Sequence, residues 1–175
     1  MRMVNSKMNI YKTEIPDLLI IAPKVFGDHR GFFLESYHAQ RYRQLGIPDF
    51  VQDNCSFSQK GILRGLHMQT PAQGKLVQVL MGEVFDVAVD LRPGSATYRK
   101  WVGVYLSDTN KDQFWIPPGF AHGFYVTSEQ ALFQYKCTEY YNPKTEQTIA
   151  WNDPKIKIEW PLQGDPILSA KDSKD

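Results

Sequence analysis

Four short segments of the chain carry side chains able to do chemistry. The first is Gly61-Ile62-Leu63-Arg64-Gly65-Leu66-His67-Met68-Gln69, where a guanidinium stands three residues before an imidazole, between glycines, in an apolar setting. Imidazole is the side chain whose ordinary pKa suits proton transfer near neutrality. On an ideal strand this spacing puts Arg64 and His67 on opposite faces, so both reach one cavity only if the chain bends at Gly65. On pattern alone the plainer account is the better one: a surface arginine and a satisfied core histidine. The second segment is Gln73-Gly74-Lys75-Leu76-Val77, where Lys75 opens an apolar strand. Lys75 is either an ordinary strand-start lysine in water or an ammonium aimed into a barrel, where it would stabilise a developing oxyanion. The third is Trp115-Ile116-Pro117-Pro118-Gly119-Phe120-Ala121-His122-Gly123-Phe124, a rigid turn that delivers His122 to the start of a strand. The fourth is Tyr135, which alternation places on one face with Phe133 and Cys137. Taken singly it fits an ordinary core or rim tyrosine better than a proton donor.

Two histidines raise the question of a metal. Metal-binding cupins carry Gly-x5-His-x-His-x3–4-Glu-x6-Gly and then Gly-x5-Pro-x-Gly-x2-His, and the second half is largely present as Pro117-x-Gly119-x2-His122. The first half fails, because Gln69 stands where the second histidine belongs and Ala72 and Gln73 where the glutamate belongs. A catalytic site of this kind takes at least three N or O ligands, and here a neutral amide would have to be one of them. The reading is a cupin barrel with no metal site.

The elements that must position these residues are almost all strands. Leu76–Leu80 and Val84–Val89 are dense in β-branched residues and leucine, with Gly82 between them as a hairpin turn. In the second run Phe85, Val87 and Val89 share one face, and Val84, Asp86, Ala88 and Asp90 the other. Trp101–Leu106 precedes a polar turn over 107–110, Phe114–Ile116 stops at Pro117, and Phe124–Val126 pairs with Ala131–Tyr140 around Thr127–Gln130. Short strands at regular spacing suggest a sandwich or barrel. One helix is expected from a Ser36 cap to Leu45, stopped by Gly46, with Tyr42 and Leu45 on its buried face.

Composition bounds the rest. At 175 residues the chain is one domain, and 42% hydrophobic with 13% aromatic residues supply its core. A net charge of +1 excludes nucleic-acid binding by bulk charge. No apolar run reaches membrane-spanning length. Two cysteines, Cys55 and Cys137, are too few for a disulfide scaffold and fit a reducing cytosol. Residues 1–7 read as an N-terminal extension or expression scar, 8–175 as a single domain, and the final Lys171-Asp172-Ser173-Lys174-Asp175 as a frayed tail.

From about Phe26 to Asp172 the chain closely resembles the dTDP-4-dehydrorhamnose 3,5-epimerases, metal-free sugar-nucleotide cupins. The resemblance is carried by Asp28-x-Arg30-Gly31-Phe32-Phe33-x-Glu35, Gln52-Asp53-Asn54-x-Ser56, Leu63–His67, Gln73–Val77, Asp86–Arg92, Ile116-Pro117-x-Gly119–Phe124, Tyr135-Lys136-x-Thr138 and Leu168-Ser169-x-Lys171-Asp172. It implies an all-β, cupin-type jelly-roll β-barrel with short peripheral helices, and epimerisation of dTDP-4-dehydro-6-deoxy-D-glucose at carbons 3 and 5. It further implies His67 as base, Asp172 as its carboxylate partner, Tyr135 as general acid and Lys75 facing the substrate carbonyl. If so, the apparent tail folds back over the barrel mouth. Arg30 and Arg64 match pyrophosphate or sugar contacts, Glu35, Gln52, Asp53, Asn54, His122, Glu146 and Lys171 match further substrate contacts, and Phe26 and Tyr141 match aromatics that pack on the base or ribose. His29 and His38 match nothing catalytic and are read as surface histidines. Met68 stands where the family commonly has tyrosine, and the segment between His67 and Lys75 is two residues shorter than in many members. The implied partners are a nucleotide-sugar substrate and a second copy of the chain, exchanging N-terminal strands. No cofactor, nucleic acid or membrane is implied, and the location is cytoplasmic. A single-carbon epimerase, a keto-sugar isomerase of the same fold and a non-catalytic sugar-nucleotide binder are the alternatives.

Overall fold

Val84–Asp90 is buried along its whole length, and a strand buries both faces only between two layers. The computed structural model, which describes residues 3–5 and 8–173, supplies those layers. In chain order its strands are β1 (Met3–Asn5), β2 (Met8–Lys12), β3 (Leu19–Pro23), β4 (Val25–Asp28), β5 (Gly31–Leu34), then α1 (Ala39–Gln44), β6 (Gln52–Gln59), β7 (Leu63–Met68), β8 (Lys75–Met81), β9 (Glu83–Asp90), β10 (Trp101–Ser107), β11 (Gln113–Ile116), β12 (Phe120–Val126), β13 (Gln130–Cys137) and β14 (Gln147–Thr148). One sheet runs β1-β2-β3-β11-β8-β13-β6 and the other β10-β9-β12-β7-β14, both antiparallel, while β4 and β5 form a separate hairpin. Together they make a cupin-type jelly-roll barrel. Residues 1, 2, 6 and 7 of the expected N-terminal extension lie outside the described residues, and 3–5 pair with β2 as β1.

Three apolar clusters follow from the alternation. Val77, Val79, Phe114, Ile116 and Phe133 of the first sheet meet Val84, Ala88, Leu106, Phe120, Phe124 and Val126 of the second inside the barrel. The other face of β9, with Phe85, Val87 and Val89, is covered by Ile149, Ile156, Ile158 and Trp160 of the C-terminal segment. Leu76 and Trp115 on the outer face of the first sheet are covered by Tyr42 and Ile47, from α1 and the turn after it.

Several local expectations are corrected. Gly82 is not a hairpin turn, because β8 and β9 lie in different sheets; it is the corner at which the chain changes layer. A side chain there would strike the Gln130 carbonyl, 1.9 Å from an ideal Cβ, and its φ is +80°. The expected pairing around Thr127–Gln130 fails for the same reason: β12 pairs with β7 and β9, and β13 with β6 and β8. β13 stops at Cys137, short of Tyr140. The helix starts later than expected, at Ala39 after His38, with no side-chain cap. The Ser36 carbonyl instead accepts from Gln113 Nε2 (2.7 Å) and Tyr42 Oη (3.3 Å), which holds it outside the helix. Gly46 does end the helix, with φ +81°. His29 is exposed as expected, but His38 is half-buried and its Nδ1 is buried without a partner.

The bend required at Gly65 is present. His67 lies opposite His122 and Arg64 opposite Phe124, so β7 uses one residue more than β12 across this stretch. That bulge turns Arg64 and His67 to the same side. Gly65 has φ +116°, and a Cβ there would lie 2.6 Å from Gly123 Cα and 2.7 Å from the His122 carbonyl. Gly65→Ala is expected to lower stability by at least about 2 kcal/mol, read by denaturant unfolding, because both the dihedral and the backbone approach resist it.

Candidate active site

A cavity of about 340 Å³ opens between the two sheets. His67 faces it from β7. Its Nε2 lies 2.6 Å from Asp172 Oδ1, so Nε2 carries the proton toward the carboxylate and Nδ1 is left as the basic atom. Asp172 is delivered by the supposed frayed tail. Ile167 docks that segment on the start of β7, its N–H on the Gly61 carbonyl (2.8 Å) and its carbonyl on the Leu63 N–H (3.0 Å). A turn then brings Asp172, 4% exposed, under the imidazole. Burial lowers the His67 pKa below its ordinary 6.5, with the Asp172 hydrogen bond and charge opposing.

The opposite wall belongs to the other sheet. Tyr135 on β13 pairs across to Asn54 on β6 and Val77 on β8, and its phenol is pushed above 10 mainly by burial. One layer along, Lys75 pairs with Cys137. Lys75 has no hydrogen-bond partner among the described residues, its Nζ lies 6.0 Å from the Tyr135 ring centroid, and burial lowers its pKa below 10.5. Histidine and tyrosine therefore meet the cavity from opposite sheets, with a desolvated ammonium on the tyrosine's side.

The remaining lining is polar at the mouth and aromatic deeper in. Gln52, Asn54 and Ser56 alternate into the cavity along β6. Arg64 is held by Ser58, Nε to Oγ 3.0 Å. His122 Nε2 donates to the Asp86 carboxylate (2.9 and 3.1 Å), both residues buried. Phe124 and Phe133 stack at 4.2 Å. At the mouth Tyr141 Oη donates to Glu146 Oε2 (2.9 Å), and Lys171 Nζ pairs with Glu146 Oε1 (2.7 Å). Gln69, at the position of the second metal-cupin histidine, is occupied by loops: Nε2 bonds the Pro71 and Tyr140 carbonyls, and Oε1 accepts from the Asn142 N–H.

Of the expected site residues, His67, Tyr135, Lys75, Asp172, Gln52, Asn54, Arg64, His122, Tyr141, Glu146 and Lys171 line this one cavity. Phe26, Arg30, Glu35 and Asp53 do not. Asp53 alternates outward and pairs with Lys136 (2.8 Å). Phe26 and Arg30 sit on the exposed β4–β5 hairpin, Arg30 paired with Asp28, and Glu35 pairs with Arg41. Three lining or supporting residues had been given no role: Asp86, Ser56 and Ser169. A carboxylate on the inward face of an otherwise apolar strand was the available signal for Asp86.

A His–Asp pair, an opposed phenol and a desolvated lysine lining one cavity of a jelly-roll barrel form a set able to move protons beside a carbonyl. The family model for dTDP-4-dehydrorhamnose 3,5-epimerase matches residues 12–175. The chain is 58% identical to the dTDP-4-dehydrorhamnose 3,5-epimerase of Salmonella typhimurium over 170 residues, covering 95% of this chain and 93% of that one. It is 56% identical to the enzyme of the same name from Pseudomonas aeruginosa, covering 94% and 93%. The crystal structure of dTDP-6-deoxy-D-glucose-3,5-epimerase from Legionella pneumophila, in complex with dTDP-4-keto-L-rhamnose, superposes with a TM-score of 0.93 at 62% identity, covering 94% of this chain and 89% of that one. This chain belongs to the dTDP-4-dehydrorhamnose 3,5-epimerase family, and is an isomerase.

A reaction in which neutral His67 took a proton while charged Lys75 faced the carbonyl oxygen would carry a pH signature. His67 would then act unprotonated, so kcat/KM is expected to hold below pH 6.5 and to fall only as pH drops through the lowered His67 value. On the alkaline side Lys75 must stay protonated, so the rate is expected to fall before pH 10.5. The residual rate of Lys75→Met should keep the acid limb and show its alkaline limb above pH 10, where Tyr135 titrates.

Proposed function

We propose that the chain converts dTDP-4-dehydro-6-deoxy-D-glucose to dTDP-4-dehydro-L-rhamnose by inverting carbons 3 and 5. The observation that supports it most directly is the placement of His67 and Tyr135 on opposite walls of one cavity. The protons on carbons 3 and 5 are acidic because their removal gives an enolate delocalised onto the carbon 4 oxygen. His67 Nδ1 takes such a proton, and Asp172 stabilises the imidazolium. The Lys75 ammonium meets the enolate oxygen in a water-poor site, where a fixed charge is worth most. Tyr135 returns a proton from the other face, which inverts the centre. Solvent then reprotonates Tyr135 and removes the proton from His67, so the cycle is neutral overall.

Arg64 suits the pyrophosphate, since guanidinium binds phosphate oxygens in bidentate fashion. Lys171 and Glu146 stand at the mouth for further polar contacts, and Tyr141 for stacking on the base or ribose. We place Phe26, Arg30 and Glu35 at the site of a second copy. They lie outside their own chain's cavity, Phe26 and Arg30 on the β4–β5 hairpin and Glu35 just after it, and that hairpin leaves Phe32 61% and Phe33 69% exposed, a patch of the kind that marks an interface. The working unit is then a homodimer with exchanged hairpins. Both cysteines are free, which suits a cytoplasmic location. No helix among the described residues is long and apolar enough to cross a membrane.

Two experiments test these readings. In deuterated water the parent enzyme should incorporate deuterium at carbons 3 and 5 of the substrate. His67→Ala should lose exchange and inversion together, by about two to four orders of magnitude. Tyr135→Phe should still exchange while inverting far more slowly, because the proton returns from the His67 face. Incorporation at neither carbon by the parent would sink the assignment, and parent-rate inversion by Tyr135→Phe would remove the phenol from the mechanism. Sedimentation at micromolar concentration should show a dimer, and mixing Arg30→Ala with His67→Ala should restore activity that neither has alone. A monomer would overturn the shared site.

A further inference from the structure

We propose that Ser169 is a positioning residue for the proton transfer, its hydroxyl holding the Asp172 carboxylate aimed at His67. Only the use made of His67 afterwards rests on the function proposed above. The Asp172 carboxylate has two oxygens with two different tasks. Oδ1 takes the His67 Nε2 proton at 2.6 Å, and Oδ2 accepts from Ser169 Oγ at 2.9 Å. No other side chain among the described residues donates to this carboxylate. The Asp172 N–H in turn points back at Ser169, 3.0 Å from its carbonyl and 3.2 Å from its Oγ, so the two residues lock each other within one turn.

The need for such a lock follows from where Asp172 sits. It is 4% exposed, near the end of the chain, and its one ion-pair partner is a histidine that must be neutral for half of each cycle. A buried carboxylate that faces a neutral imidazole through one oxygen leaves the other unmatched unless a second donor meets it. A carboxylate free to turn toward another partner would no longer hold the imidazole in the tautomer that leaves Nδ1 basic. The Ser169 hydroxyl is that second donor. It also fixes the plane of the carboxylate, since a group held at both oxygens cannot rotate about its terminal bond.

The other charges near His67 do not substitute for it. Lys171 pairs with Glu146, His122 with Asp86, and Arg64 is held by Ser58, while Lys75 and Tyr135 belong to the opposite sheet. None makes a hydrogen bond to Asp172.

The test has a readout that needs no substrate. In the free protein the His67 ring is titrated by NMR. The Asp172 hydrogen bond and charge raise the His67 pKa, and the Ser169 hydroxyl competes for that charge, so its loss in Ser169→Ala lets the His67–Asp172 pair hold its proton more tightly. The His67 titration should move to higher pH, and the acid limb of kcat/KM should move with it. kcat should fall roughly ten- to hundredfold, the worth of a hydrogen bond to a charged group. Ser173→Ala is the control. It removes the 2.7 Å bond from Ser173 Oγ to the Ser169 carbonyl, in the same turn, and touches no atom of the carboxylate. It should leave the titration where it is. An unchanged His67 titration in Ser169→Ala would overturn the proposal. So would a Ser169→Ala protein whose titration and rate both match those of Asp172→Ala, because the serine would then be anchoring the whole segment. Failure of the parent protein to exchange protons on the 4-keto sugar would sink the function and leave the titration to decide Ser169.

Discussion

The contact between His67 Nε2 and Asp172 Oδ1 joins residues 105 positions apart, and most of the site's architecture exists to make it. An imidazole on a strand can point into a barrel without help. To act as a base at a chosen atom it needs its other nitrogen occupied, and that requires a buried carboxylate on the same side. β7 cannot supply one from its own face, because its inward positions are taken by Arg64 and His67. The carboxylate has to come from elsewhere, and the segment that docks through Ile167 brings it. The docking of Ile167 on Gly61 and Leu63 has the register of a strand pair, yet its consequence is chemical: it sets where Asp172 lands.

The same contact explains why the barrel keeps polar groups inside. Asp86, His122, Lys75 and Asp172 all occupy inward positions that an apolar core would fill more favourably. Three of them are matched, His122 and Asp86 to each other and Asp172 to His67 with Ser169 behind it. Lys75 has no ion-pair partner among the described residues. An ammonium held without a carboxylate, beside an aromatic ring, carries a desolvation cost that a substrate oxygen bearing developing negative charge would relieve. In the reaction proposed above, the group without a carboxylate is the one that would meet the developing charge, and the matched ones are those whose geometry must not change. Phe124 and Phe133 stack at 4.2 Å and line the same cavity.

How much of this was legible in the residues follows from what each signal depends on. Alternation in Val84–Val89 depends only on neighbours along one strand, and both faces came out as read. The bend at Gly65 was forced by the spacing of Arg64 and His67, and the bulge is there. The hairpins at Gly82 and Thr127–Gln130 were misread because a short loop between two apolar runs looks alike whether the strands stay in one sheet or change sheets. In a jelly roll they change, and nothing local distinguishes the two. Ser36 failed as a cap because its carbonyl answers to Gln113, which is 77 residues away. The polar tail looked frayed for the reason that makes it useful: it has few apolar side chains of its own and is held by backbone bonds and one buried carboxylate. Composition registers neither, and the resemblance to a family was what assigned Asp172 its place.

The division of labour between the layers follows from these constraints. The two sheets are braced on their outer faces, one by α1 and its following turn, the other by the segment carrying Ile149, Ile156 and Trp160. Their inner faces can then hold His67 and Tyr135 apart at a fixed separation, which a reaction that takes a proton from one face and returns it from the other requires. A barrel wall is hard to move, so substrate entry must depend on parts that are not walls. The Lys171–Glu146 pair and the Tyr141 phenol line the mouth, all on segments outside the two main sheets. Because Lys171 is the neighbour of Asp172, a substrate that breaks the Lys171–Glu146 pair acts on the same turn that aims the base. Binding at the mouth and basicity at the wall are thereby properties of one short stretch of chain.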